Sequence, residues 1–194
     1  MKVRKGSEMI KKPKKMKSNF HTPLTEPSNS EMSVFARHMK NLSKGKKDAR
    51  IIIMGASPEI RNIACKENIC TTVVANDLEV IERTTKLMDK KNTKEVWLEG
   101  QITKLGLRKN SFDGIFGDHI LSNTSPFNSD KFYERIKDLL KKDGLAVMRS
   151  VVFSKTEKLF EKRLSKHFKI VDKEFGKEGA FARHFPIYSM VPKK

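Results

Sequence analysis

The stretch Ile51-Ile52-Ile53-Met54-Gly55-Ala56-Ser57-Pro58-Glu59-Ile60 sets an apolar run against a glycine, a serine and a proline. That order describes a buried strand turning sharply into a helix. Gly55 has no side chain, so a ligand can approach its backbone closely. Ser57 suits an N-cap and Pro58 the first helical position, and the helix start offers N–H groups. The loop holds neither Gly-x-Gly-x-x-Gly nor Gly-Lys-Ser/Thr, and Glu59 in the first turn repels phosphate, so the turn suits an uncharged or cationic ligand. Any tight strand–helix turn also uses glycine, however. A second stretch, Val73-Val74-Ala75-Asn76-Asp77, ends in a carboxylate about twenty residues after Gly55; such an acid either accepts the hydroxyls of a ribose or caps the next helix. A third, Ser111-Phe112-Asp113-Gly114-Ile115-Phe116-Gly117-Asp118-His119, brings Gly117, Asp118 and His119 to the carboxyl end of another strand. Asp113 precedes that strand's core and is structural by its spacing. Trp97, Phe116 and Phe153 read as core.

The elements that must position these residues alternate. Strands are expected at 50–54, 71–76, 95–99, 112–117, 145–152, 168–175 and 185–191. Helices are expected from Pro58, from Leu78 to about Lys90, over 129–141 with Phe132, Ile136, Leu139 and Leu140 inward, and from the capping box Ser154-Lys155-Thr156-Glu157 to about His167. Lys142-Asp143-Gly144 reads as a turn. Several strands are apolar without alternation, which means cover on both faces, as in a parallel sheet between helices. The last two strands have no helix between them and should form an antiparallel hairpin at one edge. Ahead of this core, Met32, Phe35, Ala36, Met39 and Leu42 fall at helical spacing after a cap at Asn29 or Ser30, giving a lid helix over 29–45. Residues 1–28 carry Lys-Lys-Pro-Lys-Lys, Thr-Pro and Glu-Pro with little apolar periodicity, and read as a disordered basic arm.

The chain has 194 residues and a net charge of +18. The flanks carry it: residues 1–50 contribute +10, residues 51–130 contribute −1 and residues 131–194 contribute +9. Such flanks attract a phosphate-bearing partner such as RNA, although 31 of the 41 basic residues are lysine and a solvated surface has the same composition. No apolar run approaches a membrane span. Cys65 and Cys70 lie without companions at metal spacing, so no metal site and no disulfide framework is expected, and a cytoplasmic, reducing location fits.

Taken in order, "IIIMGAS", "VVANDL", "VWLEGQITKLGLRKNSFDGIFGD" and "LLKKDGLAVMRS" resemble the successive motifs of the Rossmann-like S-adenosylmethionine-dependent methyltransferases. "GASPE" with the later "GD" and "MRS" looks most like a bacterial subgroup whose first loop reads Gly-x-Thr-Pro-Glu. The resemblance covers residues 50–191 of a methyltransferase-like domain at 29–194. It implies an α/β sandwich with a mostly parallel sheet and a C-terminal antiparallel hairpin. By the resemblance, Gly55, Ala56 and Ser57 border the amino-acid part of S-adenosyl-L-methionine and Glu59 reaches its ammonium. Asp77 and Leu78 hold the ribose and flank the adenine, Gln101 and Ile102 stand at the adenine edge, and Gly117 and Asp118 line the floor near the sulfonium. His119, with an ordinary pKa near working pH, is the candidate base, with Asp118 to orient it or the substrate. The chain departs from the pattern in keeping one glycine in the first loop and in having Gln101 where an acid is usual. The implied activity is methyl transfer to a small molecule. The alternatives are an RNA or protein methyltransferase using the basic flanks, and a non-catalytic module that kept only the fold. No oligomeric state follows from the sequence.

Overall fold

Ile51, Ile52, Ile53 and Met54 are all buried, at 0–3% exposure, because the strand they form is covered on both faces. A computed structural model describes residues 3–5, 27–118, 129–152, 157–177 and 185–193 of the chain. Its strands are β1 (Val3–Lys5), β2 (Arg50–Met54), β3 (Cys70–Ala75), β4 (Glu95–Glu99), β5 (Phe112–Asp118), β6 (Leu140–Arg149), β7 (Phe168–Glu174) and β8 (Ile187–Pro192). Its helices are α1 (Asn29–Gly45), α2 (Pro58–Lys66), α3 (Leu78–Thr85), α4 (Ser129–Leu139) and α5 (Glu157–His167). The strands join one sheet in the order β1-β4-β3-β2-β5-β6-β8-β7. Neighbours from β4 to β6 are parallel, β8 is antiparallel to both β6 and β7, and β1 is antiparallel to β4. The expected closing hairpin is thus present at one edge.

Alternate residues of β2 serve different layers. Ile51 and Ile53 pack with Val34, Phe35 and Met39 of α1 and Ile60 and Ala64 of α2. Ile52 and Met54 face Phe132, Tyr133, Ile136 and Leu139 of α4 and Leu164 of α5. A third cluster sets Leu78 and Ile81 of α3 on Val73 and Trp97. Gly114 lets α1 come down onto β5: a Cβ there would lie 2.7 Å from the Phe116 ring and 2.8 Å from Leu42.

Several boundaries differ from expectation for physical reasons. The helix at 29–45 is a layer of the core, not a lid, because its apolar face is consumed by β2, β5 and α2. It begins from Ser28, in a capping box with Glu31, rather than from Asn29 or Ser30. Within the arm, Val3–Lys5 pairs with β4, an edge contact made through backbone groups that leaves no apolar signature; residues 6–26 lie outside the described residues. α3 stops at Thr85 rather than near Lys90. Lys142-Asp143-Gly144 lies inside β6, where the register with β5 jumps from Phe112↔Leu140 to Gly114↔Leu145, so the segment is an irregularity in a strand and not a turn between elements. The expected box at 154–157 falls mainly outside the described residues.

A buried ion pair ties the helices to the sheet. Arg61, fully buried, meets Glu95 with Nε 3.2 Å and Nη2 2.6 Å from its carboxylate oxygens, and also donates to Thr84 and Thr85. Among the described residues no helix is long and apolar enough to cross a membrane.

Candidate active site

β2 is flanked by β3 on one side and by β5 on the other, and β2 is where the chain reverses its direction of travel across the sheet. In such a sheet the crevice outside the carboxyl ends of the strands, at this switch point, is the place for a ligand. Register brings the candidate residues to that edge. Met54 pairs with Val74 and with Gly117, Ala75 pairs with Glu99, and Asp118 pairs with Arg149. Along the edge the order is therefore Gln101, Asp77, Gly55, Gly117 with Asp118, and Arg149. Five neighbouring strands span about 19 Å at the usual spacing of about 4.8 Å.

Gly55 has φ of +78° and donates its N–H to the Val74 carbonyl at 2.9 Å. That left-handed backbone is what ends β2 and turns the chain into α2, and a side chain there would be strained. Ser57 caps α2 by accepting from Ile60 N–H at 3.4 Å and donates to Glu59 Oε2 at 2.7 Å. Ala56 and Leu78 are buried together against Val73, Ile81 and Trp97, so they form the wall between α2 and α3. Asp77 is exposed, and its Oδ1 accepts from Glu79 N–H at 2.8 Å, capping α3. Gln101 is exposed, whereas Ile102 is buried in the α4–α5 core. His119 and the loop 119–128 lie outside the described residues.

The carboxyl end of β5 holds a charge cluster that the sequence did not reveal. Arg149, 1% exposed, sets Nη1 at 3.0 and 3.3 Å from the two oxygens of Asp118 and Nε at 3.0 Å from Glu31 Oε1. Its guanidinium lies 4.8 Å from the centre of the Phe185 ring. Burial pushes the Asp118 carboxyl up to about 7; Arg149 opposes this, and the negative charges of Glu31 and Glu59 add to it. Two carboxylates, Asp118 and Glu31, thus share one guanidinium, and the charge of Glu59 acts on Asp118 as well. The signals were present but indirect: "MRS" puts a charge at the end of an apolar strand, and Ser28-x-x-Glu31 has the spacing of a capping box. No group of three or more His, Cys, Asp or Glu among the described residues could hold a metal ion.

What this edge can do chemically is hold an extended, partly cationic molecule and take up a proton near neutrality. The left-handed Gly55 beside an exposed acid and an acid-rich end fits a sulfonium-bearing nucleoside better than a phosphate-bearing one.

Comparisons with known proteins agree. Residues 55–148 match a family model described as a methyltransferase domain. No curated protein sequence matches the chain. Among solved structures, the chain is similar to the N-methyltransferase NodS from Bradyrhizobium japonicum in complex with S-adenosyl-L-homocysteine, with a TM-score of 0.71 and 10% identity over 91% of this chain and 94% of that one. It is also similar to the 1,6-didemethyltoxoflavin-N1-methyltransferase of Burkholderia thailandensis, with a TM-score of 0.65 and 16% identity over 82% and 79% of the two chains. A TehB-like S-adenosylmethionine-dependent methyltransferase from Corynebacterium glutamicum matches with a TM-score of 0.59 and 14% identity over 86% and 100%. Residues 55–148 therefore match a methyltransferase domain, and the chain has the fold of these S-adenosylmethionine-dependent methyltransferases.

Proposed function

We propose that the chain transfers a methyl group from S-adenosylmethionine to a small-molecule acceptor. The observation that carries this reading is the left-handed Gly55 held between Asp77 and Asp118 at the switch point of the sheet. When bound, the cofactor supplies an electrophilic methyl group on a sulfonium, whose transfer needs chiefly in-line positioning in a dry site. Gly55, Ala56 and Ser57 border its amino-acid part, and Glu59 faces the ammonium. Asp77 receives the ribose hydroxyls with the oxygen that does not cap α3, Leu78 flanks the adenine, and Gln101 with Ile102 stands at the adenine edge. Gly117 leaves room at the floor. Asp118, poised near neutrality, holds the acceptor and takes the proton that it loses, with His119 as the adjoining base. The small-molecule reading draws support from the Burkholderia enzyme, whose structure holds bound 1,6-didemethyltoxoflavin.

Calorimetric titration with S-adenosylhomocysteine tests this. We expect binding by the native protein and a loss of about 1.5–3 kcal/mol in Asp77→Ala, the size of a lost hydrogen bond to a charged group. Absence of binding at millimolar ligand sinks the enzyme reading and leaves the non-catalytic module. Labelled S-adenosylmethionine offered with small amines or with RNA then identifies the acceptor class.

A further inference from the structure

We propose that the amino-end edge of the sheet, opposite the candidate active site, binds the phosphodiester backbone of a nucleic acid. Arg50, Arg108, Lys109, Asn110, Ser111 and Lys141 line a concavity of about 370 Å³ there. They come from the start of β2, the segment before β5 and the start of β6, so the strand register itself assembles them. The site is held in shape. Ser111 Oγ donates to the carbonyls of Arg108 and Lys109 at 2.8 and 3.0 Å, Asn110 is left-handed at φ +51°, and its N–H donates to the Asp138 carbonyl at 2.8 Å.

The charges are only partly cancelled. Asp113 is saturated by Lys141, Lys46 and the Arg50 N–H, and Lys109 pairs with Asp138 at 2.7 Å. The guanidiniums of Arg50 and Arg108 have no carboxylate partner among the described residues, and both residues are exposed. That of Arg50 is fixed 5.5 Å over the Phe112 ring. A planar fork held in place and without a counter-ion is suited to a phosphate oxygen pair.

A second concavity of about 150 Å³, lined by Lys46, Lys47, Glu67 and Asn68 among others, adjoins the first, because Lys46 and Lys141 grip the same Asp113. Lys47 at that second depression extends the positive face past the first, which matches successive phosphates of a chain better than one small anion. None of the exposed large apolar residues, Leu87, Leu159, Val171 and Phe175, lines either depression, which disfavours insertion into a lipid surface. Phe112 is 2% exposed and unavailable for base stacking, so binding through this face is sequence-tolerant. The inference is independent of which acceptor the active site takes.

Fluorescence anisotropy with labelled RNA and DNA oligonucleotides of about 20 nucleotides tests it. Arg50→Gln/Arg108→Gln should weaken binding about tenfold and reduce the slope of log affinity against log salt by about 1.4, two phosphate contacts at about 0.7 each. Lys158→Gln/Lys162→Gln removes the same charge from the exposed face of α5 and should change affinity less than twofold, on the order expected for a distant screened charge. Mixed and all-uridine RNA should bind alike. If the Arg50 change unfolds the protein, Arg108→Gln against Lys158→Gln makes the comparison at one charge each, with a slope change of about 0.7 expected for Arg108→Gln alone. Equal losses in the two charge-matched variants, a strong base preference, or no binding by the native protein at physiological salt overturns the proposal. Binding to phosphatidylserine vesicles that depends on Arg50 and Arg108 while RNA binding does not would assign the face to a membrane surface instead.

Discussion

Asp113 and Asp118 stand at opposite ends of β5, and their carboxyl groups move in opposite directions. Asp113 is shielded from solvent by its lysine partners, at 0% exposure against 14% for the Asp118 side chain, and it is the one held below the ordinary aspartate range. Burial acts to raise it, and the hydrogen bonds from Lys46, the Arg50 N–H and Lys141 override that. At Asp118, burial wins because a single guanidinium is divided between it and Glu31 and because Glu59 adds further negative charge. Partners and the depth of surrounding protein decide the outcome together: Asp118 lies deeper and has fewer donors. The amino end of the strand satisfies its carboxylate in order to hold strands and α1 together. The carboxyl end leaves excess negative charge where a cationic ligand would meet it.

Arg149→Leu should break this contrast most violently. It leaves Glu31 and Asp118 buried without their cation, and urea unfolding at pH 8 should show a loss of about 3–5 kcal/mol. The loss should shrink at pH 6, where Asp118 carries its proton; an equal loss at both pH values would mean that Asp118 is ionised throughout. Asp113→Asn comes next, at about 1–3 kcal/mol between pH 5 and 8. A lowered carboxyl stabilises the fold above its unfolded pKa and stops doing so as pH falls through its folded one, so the variant and the native protein should converge below about pH 4.

Asp118→Asn sharpens the other side. A carboxyl raised from the ordinary range to about 7 contributes stability that is complete below about pH 4 and is lost as pH rises to about 7. The native protein should therefore weaken by about 1–3 kcal/mol across that window, a discounted figure for a site that water can partly reach, and Asp118→Asn should remove the slope. A flat native profile would show that the acid is ordinary. The smallest effect belongs to Glu59→Gln, which should move the midpoint of that slope toward acid, because one of the charges that raise Asp118 is gone. No movement would place Glu59 out of electrical reach of Asp118.

The fold was legible where burial leaves a one-dimensional trace. The unbroken apolar run of β2 announced cover on both faces, and Gly55 and Asp77 fell at the ends of their strands as their order required. The role of α1 was not legible, since an amphipathic pattern tells that a face is covered and not what covers it. β1 is three residues long, too short to leave a periodic pattern, and its backbone pairs with β4. Arg149 and Glu31 escaped notice because they lie more than a hundred positions apart in the sequence. Only the packing of α1 beside the end of β6 brings them to one carboxylate, and no local spacing encodes that meeting.

The placement of β8 between β6 and β7 has a consequence for how the chain is made. β7 precedes β8 in synthesis, yet its ladder partner in the sheet is β8. Until Ile187–Pro192 leaves the ribosome, β6 presents a bare row of N–H and C=O groups and β7 has nothing to zip onto. A nascent or truncated chain lacking β8 is thus an open template for strand addition by its neighbours, and the pairing of β6 with β8 has to come late. Chaperone dependence during expression should follow β8 more closely than any residue of the candidate active-site edge.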